Sequence, residues 1–174
     1  MVLAADRGIA DRLDFRVTNA GATLPFPDTS FDAILSNDAM CHIPQRLAVL
    51  RDWHRVLRPA GRVLFTDAMV ITGPATHEEL AIRSSIGFYL FVPPGENERL
   101  LREAGFELLG VEDLTGSAAD ISKRWFDARE QHREALIRME GHENFHGLQR
   151  FLQCVLTLST ERRLSRFSYL ARKK

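Results

Sequence analysis

The sequence predicts an α/β fold around a largely parallel sheet, and three observations predict it. Residues 31–35 and 62–66 are short apolar runs of strand length, a single amphipathic stretch lies between them, and turn-forming residues punctuate the junctions. A strand, a crossover helix and a second strand make a βαβ unit, whose right-handed connection lays the helix on one sheet face.

Taken along the chain, residues 2–12 carry the pattern of a helix end, and residues 13–18 (LDFRVT) alternate enough to predict a strand. Residues 21–28 form a turn-rich link holding Pro25 and Pro27. The first strand of the unit is broken in its apolar character only by Asp32; the second has Val63, Leu64 and Phe65 apolar on both faces, as strands buried in parallel sheets do. Between them Leu47, Leu50, Trp53 and Leu57 form an apolar stripe, while Arg46, Arg51, Asp52, Arg55 and Arg58 fall elsewhere on the helix. Pro44 suits the first turn, where its missing N–H has no partner to lose. Pro59-Ala60-Gly61 stops the helix, and Gly73-Pro74 ends the module.

The spacing next predicts a helix over residues 76–91, with Thr76 as cap and Glu79 as its capping-box partner. Pro93-Pro94-Gly95 breaks it. A short helix over 97–104 closes at Gly105, and 106–114 is a strand. Residues 122–139 and 148–158 read as helices and 164–172 as the last strand. No repeat or linker divides the chain, so residues 1–174 are expected to form a single domain.

Composition narrows the partners. Basic and acidic residues number 23 each, so there is no electrostatic footprint for nucleic acid. The two cysteines, Cys41 and Cys154, form no CxxC and are too few for a disulfide framework, which makes a reducing cytoplasm the default. No stretch is apolar enough for a signal peptide or a membrane span, so no membrane partner is expected.

In open α/β sheets, ligands sit beyond the carboxyl ends of the strands. Ser36-Asn37-Asp38-Ala39-Met40-Cys41-His42 follows the first strand of the unit and is therefore the expected ligand loop. At these residues a family resemblance emerges. LPFPD-x-SFD, a strand, SNDAMCHIP, HRVLRPAGR and LFTDA, in that order, are similar to class I S-adenosylmethionine-dependent methyltransferases of the small-molecule type. The likeness runs on through RSSIGFYLFVPPGENERLLREAGFELLGVED to RLSRFSYLARKK, which resembles that family's closing antiparallel hairpin. The resemblance implies a Rossmann-like methyltransferase sheet with a helical insertion before the last strand, a small-molecule acceptor, and S-adenosylmethionine as cofactor. The stretch RSSIGFYLFVPPGENERLL further resembles members acting on glycine derivatives and amines, so the acceptor is expected among such molecules or left open.

One part of the family pattern is missing. The glycine-rich turn and the ribose-binding acid that follow its first two strands have no counterpart, and no two glycines are spaced as GxG. The strand at residue 13 would be the family's third, so an N-terminally truncated sheet is expected, short by on the order of fifty residues. A start site placed too late, a remnant, or a chain completed by a partner each account for this. The strand edges so exposed invite a homodimer.

The resemblance carries roles onto matching residues. Asn19 takes the place of the acid that accepts from the adenine amino group, and Ala20 that of the following backbone N–H; the plain reading of Asn19 is a turn. Asn37 and Asp38 match positions at the cofactor's methionine end, or simply form a helix-entry loop. Methyl transfer needs an in-line nucleophile and a route for its proton. His42, in the ligand loop, is the expected proton acceptor, against a packing role for the same ring. Arg83 and Tyr89 are the expected substrate-binding residues, orienting a carboxylate or ring, while Tyr169 reads as core.

Two other function classes compete. His142-Glu143-Asn144-Phe145-His146 fits H-E-x-x-H, the zinc hydrolase pattern, with Glu161 as an imagined third ligand. Gly141, Gly147 and Asn144 disfavour the helix which that geometry requires, so no metal is expected. A non-catalytic methyltransferase-like remnant that binds a partner is the other alternative.

Overall fold

The structure, a computed structural model, describes residues 6–174. Among the described residues, one sheet of four strands carries the fold, in the order β1-β2-β4-β3. β1 (Phe31–Ser36) runs parallel to β2 (Leu57–Ile71), and β4 (Leu164–Lys173) is antiparallel to both β2 and β3 (Phe106–Asp113). The parallel pair is joined by α1 (Arg46–Val56), as a βαβ unit requires. The chain then continues through α2 (His77–Arg83) and α3 (Glu96–Glu103) to β3; α4 (Thr115–Gln131), α5 (Arg133–Glu140) and α6 (His142–Thr160) form the insertion before β4.

The core forms where apolar faces meet. From α1, Val49, Leu50 and Trp53 pack with Val63 and Phe65 of β2, Leu100 and Leu101 of α3, and Tyr169 of β4. Phe65 and Tyr169 stack with ring centroids 4.9 Å apart, and both are buried, so Tyr169 is core as expected. Burial pushes the Tyr169 phenol well above its ordinary range. A second cluster of Cys41, Met69, Leu158 and Leu164 joins α6 to the distal half of β2.

The LPFPD segment acquires a physical reason. Leu24 N–H donates to the Asp52 carboxylate, and Arg55 donates to the carbonyls of Leu24 and Phe26 and to the Asp28 carboxylate. A chain without regular structure is thereby clamped along α1.

Several expectations need correction. Residues 13–18 form no strand: they run as exposed coil, because an alternating segment needs a neighbouring strand to pair with. Of the helix end expected over 2–12, residues 2–5 lie outside those described; Asp6 is helical, and a 3-10 turn follows at Ala10–Arg12. β1 is an edge strand rather than a buried one, and its Leu35 is 75% exposed. The Pro59-Ala60-Gly61 turn lies inside β2 as a bulge, since the register steps from Leu57 opposite Phe31 to Arg62 opposite Ala33. The expected helix over 76–91 ends at Arg83, and residues 84–90 run on without regular structure to a bridge between Val92 and Val70. Its capping box is present in both directions.

Among the described residues, no helix is long and apolar enough to cross a membrane.

Candidate active site

The carboxyl ends of β1 and β2 bring the expected loop to a cluster of polar groups. Asp38 sits in the left-handed region at φ 48°, a conformation that aspartate tolerates and that marks functional loops. Its N–H donates to Thr66 Oγ1 over 2.8 Å. The Thr66 hydroxyl stands 2.7 Å from Asp38 Oδ1 and 2.9 Å from Asn37 Oδ1, one of which takes its proton. From β4, Arg166 donates through Nε to Asp38 Oδ1 at 3.1 Å and through Nη2 to Asn37 Oδ1 at 2.9 Å. The two acceptors of the loop thus hold the Arg166 guanidinium, a charge-assisted arrangement that fixes the loop against β4.

His42 lies at the other end of the loop, exposed to solvent. Its Nδ1 is 2.6 Å from the Phe88 carbonyl, which can only accept. In the neutral ring the proton is therefore on Nδ1, and Nε2 presents its lone pair. Tyr89 packs on the same imidazole with ring centroids 4.7 Å apart. Cys41, between Asp38 and His42, is buried, and that burial together with Asp67 and Asp38 pushes its thiol up to about 12, so it is no nucleophile.

Beneath the loop is a polar network that pattern reading missed. Arg46 donates to Asp67 at 2.5 Å, to Asn97 Oδ1 at 2.9 Å and to the Leu90 carbonyl at 3.0 Å. Asn97 donates in turn to Asp67, whose second oxygen accepts from Met69 N–H at 2.9 Å. Arg46 lies off the apolar stripe of its helix, yet it is buried, because Asp67, on β2, is fully buried opposite it. The ion pair ties α1, β2, α3 and the 84–90 stretch together behind Cys41 and His42. The groove of ≈ 580 Å³ lined by Arg46, Leu90 and Glu96 does not include Asn37, Asp38 or His42.

Arg83 is buried at the end of α2, its guanidinium 4.9 Å from the centres of both the Tyr89 and Phe151 rings. The structure thus brings together Asn37 and Asp38 on one side, and His42, Tyr89 and Arg83 on the other. Asn19 and Ala20 are exposed and apart from these contacts. Asn19 Oδ1 accepts from Gly21 N–H at 2.9 Å, which is the plain turn geometry, and this turn lies near Ile43 at the loop's end.

His142-Glu143-Asn144-Phe145-His146 is helical after all, at the start of α6, where the helix tolerates Gly147 and begins directly after Gly141. His142 and His146 share a face, with ring centroids 6.4 Å apart. Both are exposed, and Glu161 pairs instead with Arg163 at 2.7 Å. Among the described residues no three potential ligands converge on a metal position.

Comparisons with known proteins agree with this arrangement. Residues 1–65 match the family model described as a methyltransferase domain. The chain is 36% identical over 110 residues to 27-O-demethylrifamycin SV methyltransferase of Amycolatopsis mediterranei, covering 62% of this chain and 40% of that protein. It is 30% identical over 142 residues to phosphoethanolamine N-methyltransferase 3 of Arabidopsis thaliana, covering 81% of this chain and 28% of that one. It therefore spans less than half the length of these curated relatives. Among solved structures, the putative sarcosine dimethylglycine methyltransferase from Galdieria sulphuraria superposes with a TM-score of 0.86 at 22% identity, covering 99% of this chain and 64% of that one. At that identity the likeness shows the fold: a Rossmann-like methyltransferase sheet.

Proposed function

From a chain that belongs to the class I S-adenosylmethionine-dependent methyltransferases, we propose an activity: methyl transfer from S-adenosylmethionine to a small-molecule acceptor, with an amine as the favoured acceptor. The observation that carries this is the grouping of Asn37, Asp38 and His42 on one loop at the carboxyl end of β1.

The residues fit the amino-acid end of the cofactor. Asn37 and Asp38 offer amide and carboxylate oxygens of the kind that bind a cation, and the cofactor's ammonium group takes them in place of the Arg166 guanidinium. When bound, S-adenosylmethionine supplies a methyl group already activated on a sulfonium. Asn19 and Ala20 serve its adenine end in this reading, Asn19 through the lone pair that Gly21 leaves free. The chain's own work is to orient and to move a proton. His42 Nε2 takes the proton of the acceptor's heteroatom, while the Phe88 carbonyl holds the ring in the tautomer that makes this possible. Arg83 and Tyr89 orient the acceptor. A second copy of the chain covers the free edge of β1.

Titration calorimetry of the whole chain with S-adenosylmethionine tests the reading. Saturable binding that weakens at least tenfold in Asp38→Ala supports it, whereas no binding by folded protein sinks it.

A further inference from the structure

Arg83 is 7% exposed and is the last residue of α2, yet among the described residues it makes no ion pair. Its Nε and Nη1 are buried without any hydrogen-bond partner. Such groups are rare in folded proteins, because a buried charge without an acceptor forfeits its hydration and receives nothing in exchange. The two aromatic faces, Tyr89 and Phe151, offset part of that loss but accept no N–H in the guanidinium plane.

The natural partner is present and turned away. Glu79 precedes Arg83 by one helical turn, the spacing at which carboxylate and guanidinium pair on a helix. Its oxygens instead bind Arg163 at 2.7 Å and close the capping box with Thr76. Burial lowers the Arg83 pKa; the Tyr89 phenol, through a side-chain hydrogen bond and its charge, and the Cys41 and Cys154 thiols act against it, yet Nε and Nη1 keep no partner. Burial raises both thiols away from ionisation, so neither supplies the guanidinium with an anion.

The cover over Arg83 is thin and belongs to the site. Residues 85–88 are exposed and without regular structure, and Tyr89 is half-buried. This stretch is pinned by His42 at the Phe88 carbonyl and by Cys41 at Leu90 N–H. Tyr89 has the imidazole of His42 at 4.7 Å and the guanidinium of Arg83 at 4.9 Å from its ring centre. A proton acceptor and an unpaired cation thus share one aromatic wall.

We propose that Arg83 is the anion seat of the methyl acceptor, so that the substrate is a small molecule carrying a carboxylate or phosphate beside the heteroatom that faces His42. The inference rests on the methyltransferase reading of the site for its second half. A site with a buried, unpaired guanidinium rejects an analogue lacking the anion, since that analogue leaves the charge unsatisfied.

The test uses the whole chain and three probes sharing one quaternary ammonium: glycine betaine with a carboxylate, phosphocholine with a phosphate, and choline with neither. Binding of betaine or phosphocholine at least tenfold tighter than choline is expected, and the tighter of the two identifies the anion. In wild-type protein the Arg83 Nε–H resonance is expected to shift with the anionic probe and not with choline, a readout that needs no variant. Arg83→Met is expected to lose the preference while still binding S-adenosylmethionine as the wild type does. Equal binding of choline, binding of no probe, an unmoved Arg83 resonance, or an unchanged preference in Arg83→Met each overturns the proposal. S-adenosylmethionine titrated into the same sample reports separately on the methyltransferase reading: its failure to bind leaves the anion seat standing, and the reverse result removes only the seat.

Discussion

Arg166 reaches from the last strand to the carboxylate of Asp38, 128 residues earlier, and holds it 3.1 Å from its own Nε. The pair joins the ligand loop to the centre of the sheet, since β4 lies between β2 and β3. Both side chains keep some solvent contact, so the pair is worth about 0.5–1 kcal/mol rather than the larger value of a buried one. A double-mutant cycle of Arg166→Met and Asp38→Asn, read by urea denaturation, is expected to return a coupling of that size. Strictly additive single effects would show that the two side chains act independently.

His42→Asn keeps an N–H donor for the Phe88 carbonyl but removes the basic ring nitrogen. Turnover is expected to fall on the order of 10²-fold or more, with S-adenosylmethionine affinity unchanged. Steady-state rates and calorimetric titration of the cofactor check this, and an unchanged turnover number would remove His42 from the proton transfer.

The Arg46–Asp67 pair is fully enclosed, so breaking it on one side strands a charge. Asp67→Ala is expected to cost about 3–5 kcal/mol, seen as a lowered urea midpoint. Leu50→Met, in the same core, should cost less than about 1.5 kcal/mol because volume is conserved. Similar midpoints for the two variants would refute a structural role for the pair.

Glu79 contributes to stability in a pH-dependent way. Arg163, and after it the Thr76 N–H, hold its carboxyl down at about 2, below its ordinary 4.5. A depressed folded pKa gives stability that is present above the ordinary value and lost as pH falls from about 4.5 towards 2. Wild-type and Glu79→Gln protein should therefore differ most at neutral pH and converge in acid. Thermal melts over that range decide the matter, and a constant offset would remove Glu79 from the titration.

The free edge of β1 presents unpaired backbone and an exposed Leu35. Light scattering is expected to show mass rising with concentration, and Leu35→Lys should suppress the rise. A mass independent of concentration would dismiss the second copy as its cover.

Much of this molecule was legible from the sequence because local rules and packing agree there. The βαβ unit, the Thr76–Glu79 capping box and the strands at β3 and β4 follow from periodicity and caps that tertiary contacts reinforce. Residues 13–18 show the opposite case, for a strand is a property of two segments and its pattern alone cannot supply the second. The helix at His142 formed despite two glycines because its apolar face, with Phe145, Phe151 and Leu152, is buried. At the site, Asn37, Asp38 and His42 could be picked by position after a strand. Thr66 and Arg166 could not, since their roles come from strand register: Thr66 pairs opposite Ser168, two residues from Arg166. Arg46 was hidden for a similar reason, its buried partner Asp67 being the acid of LFTDA, a motif that reads as family pattern and not as charge pairing.

The strand order carries a consequence for biosynthesis. β4 is the last of the described strands to be made, yet it stands inside the sheet and is the only one of them that links β3 to the rest. While a ribosome still shelters it, β2 lacks one neighbour and Asp38 lacks its guanidinium, so the ligand loop matures only after translation of the sheet is finished. Until then the nascent chain carries an incomplete sheet with an unpaired edge on β2, the kind of species most exposed to aggregation.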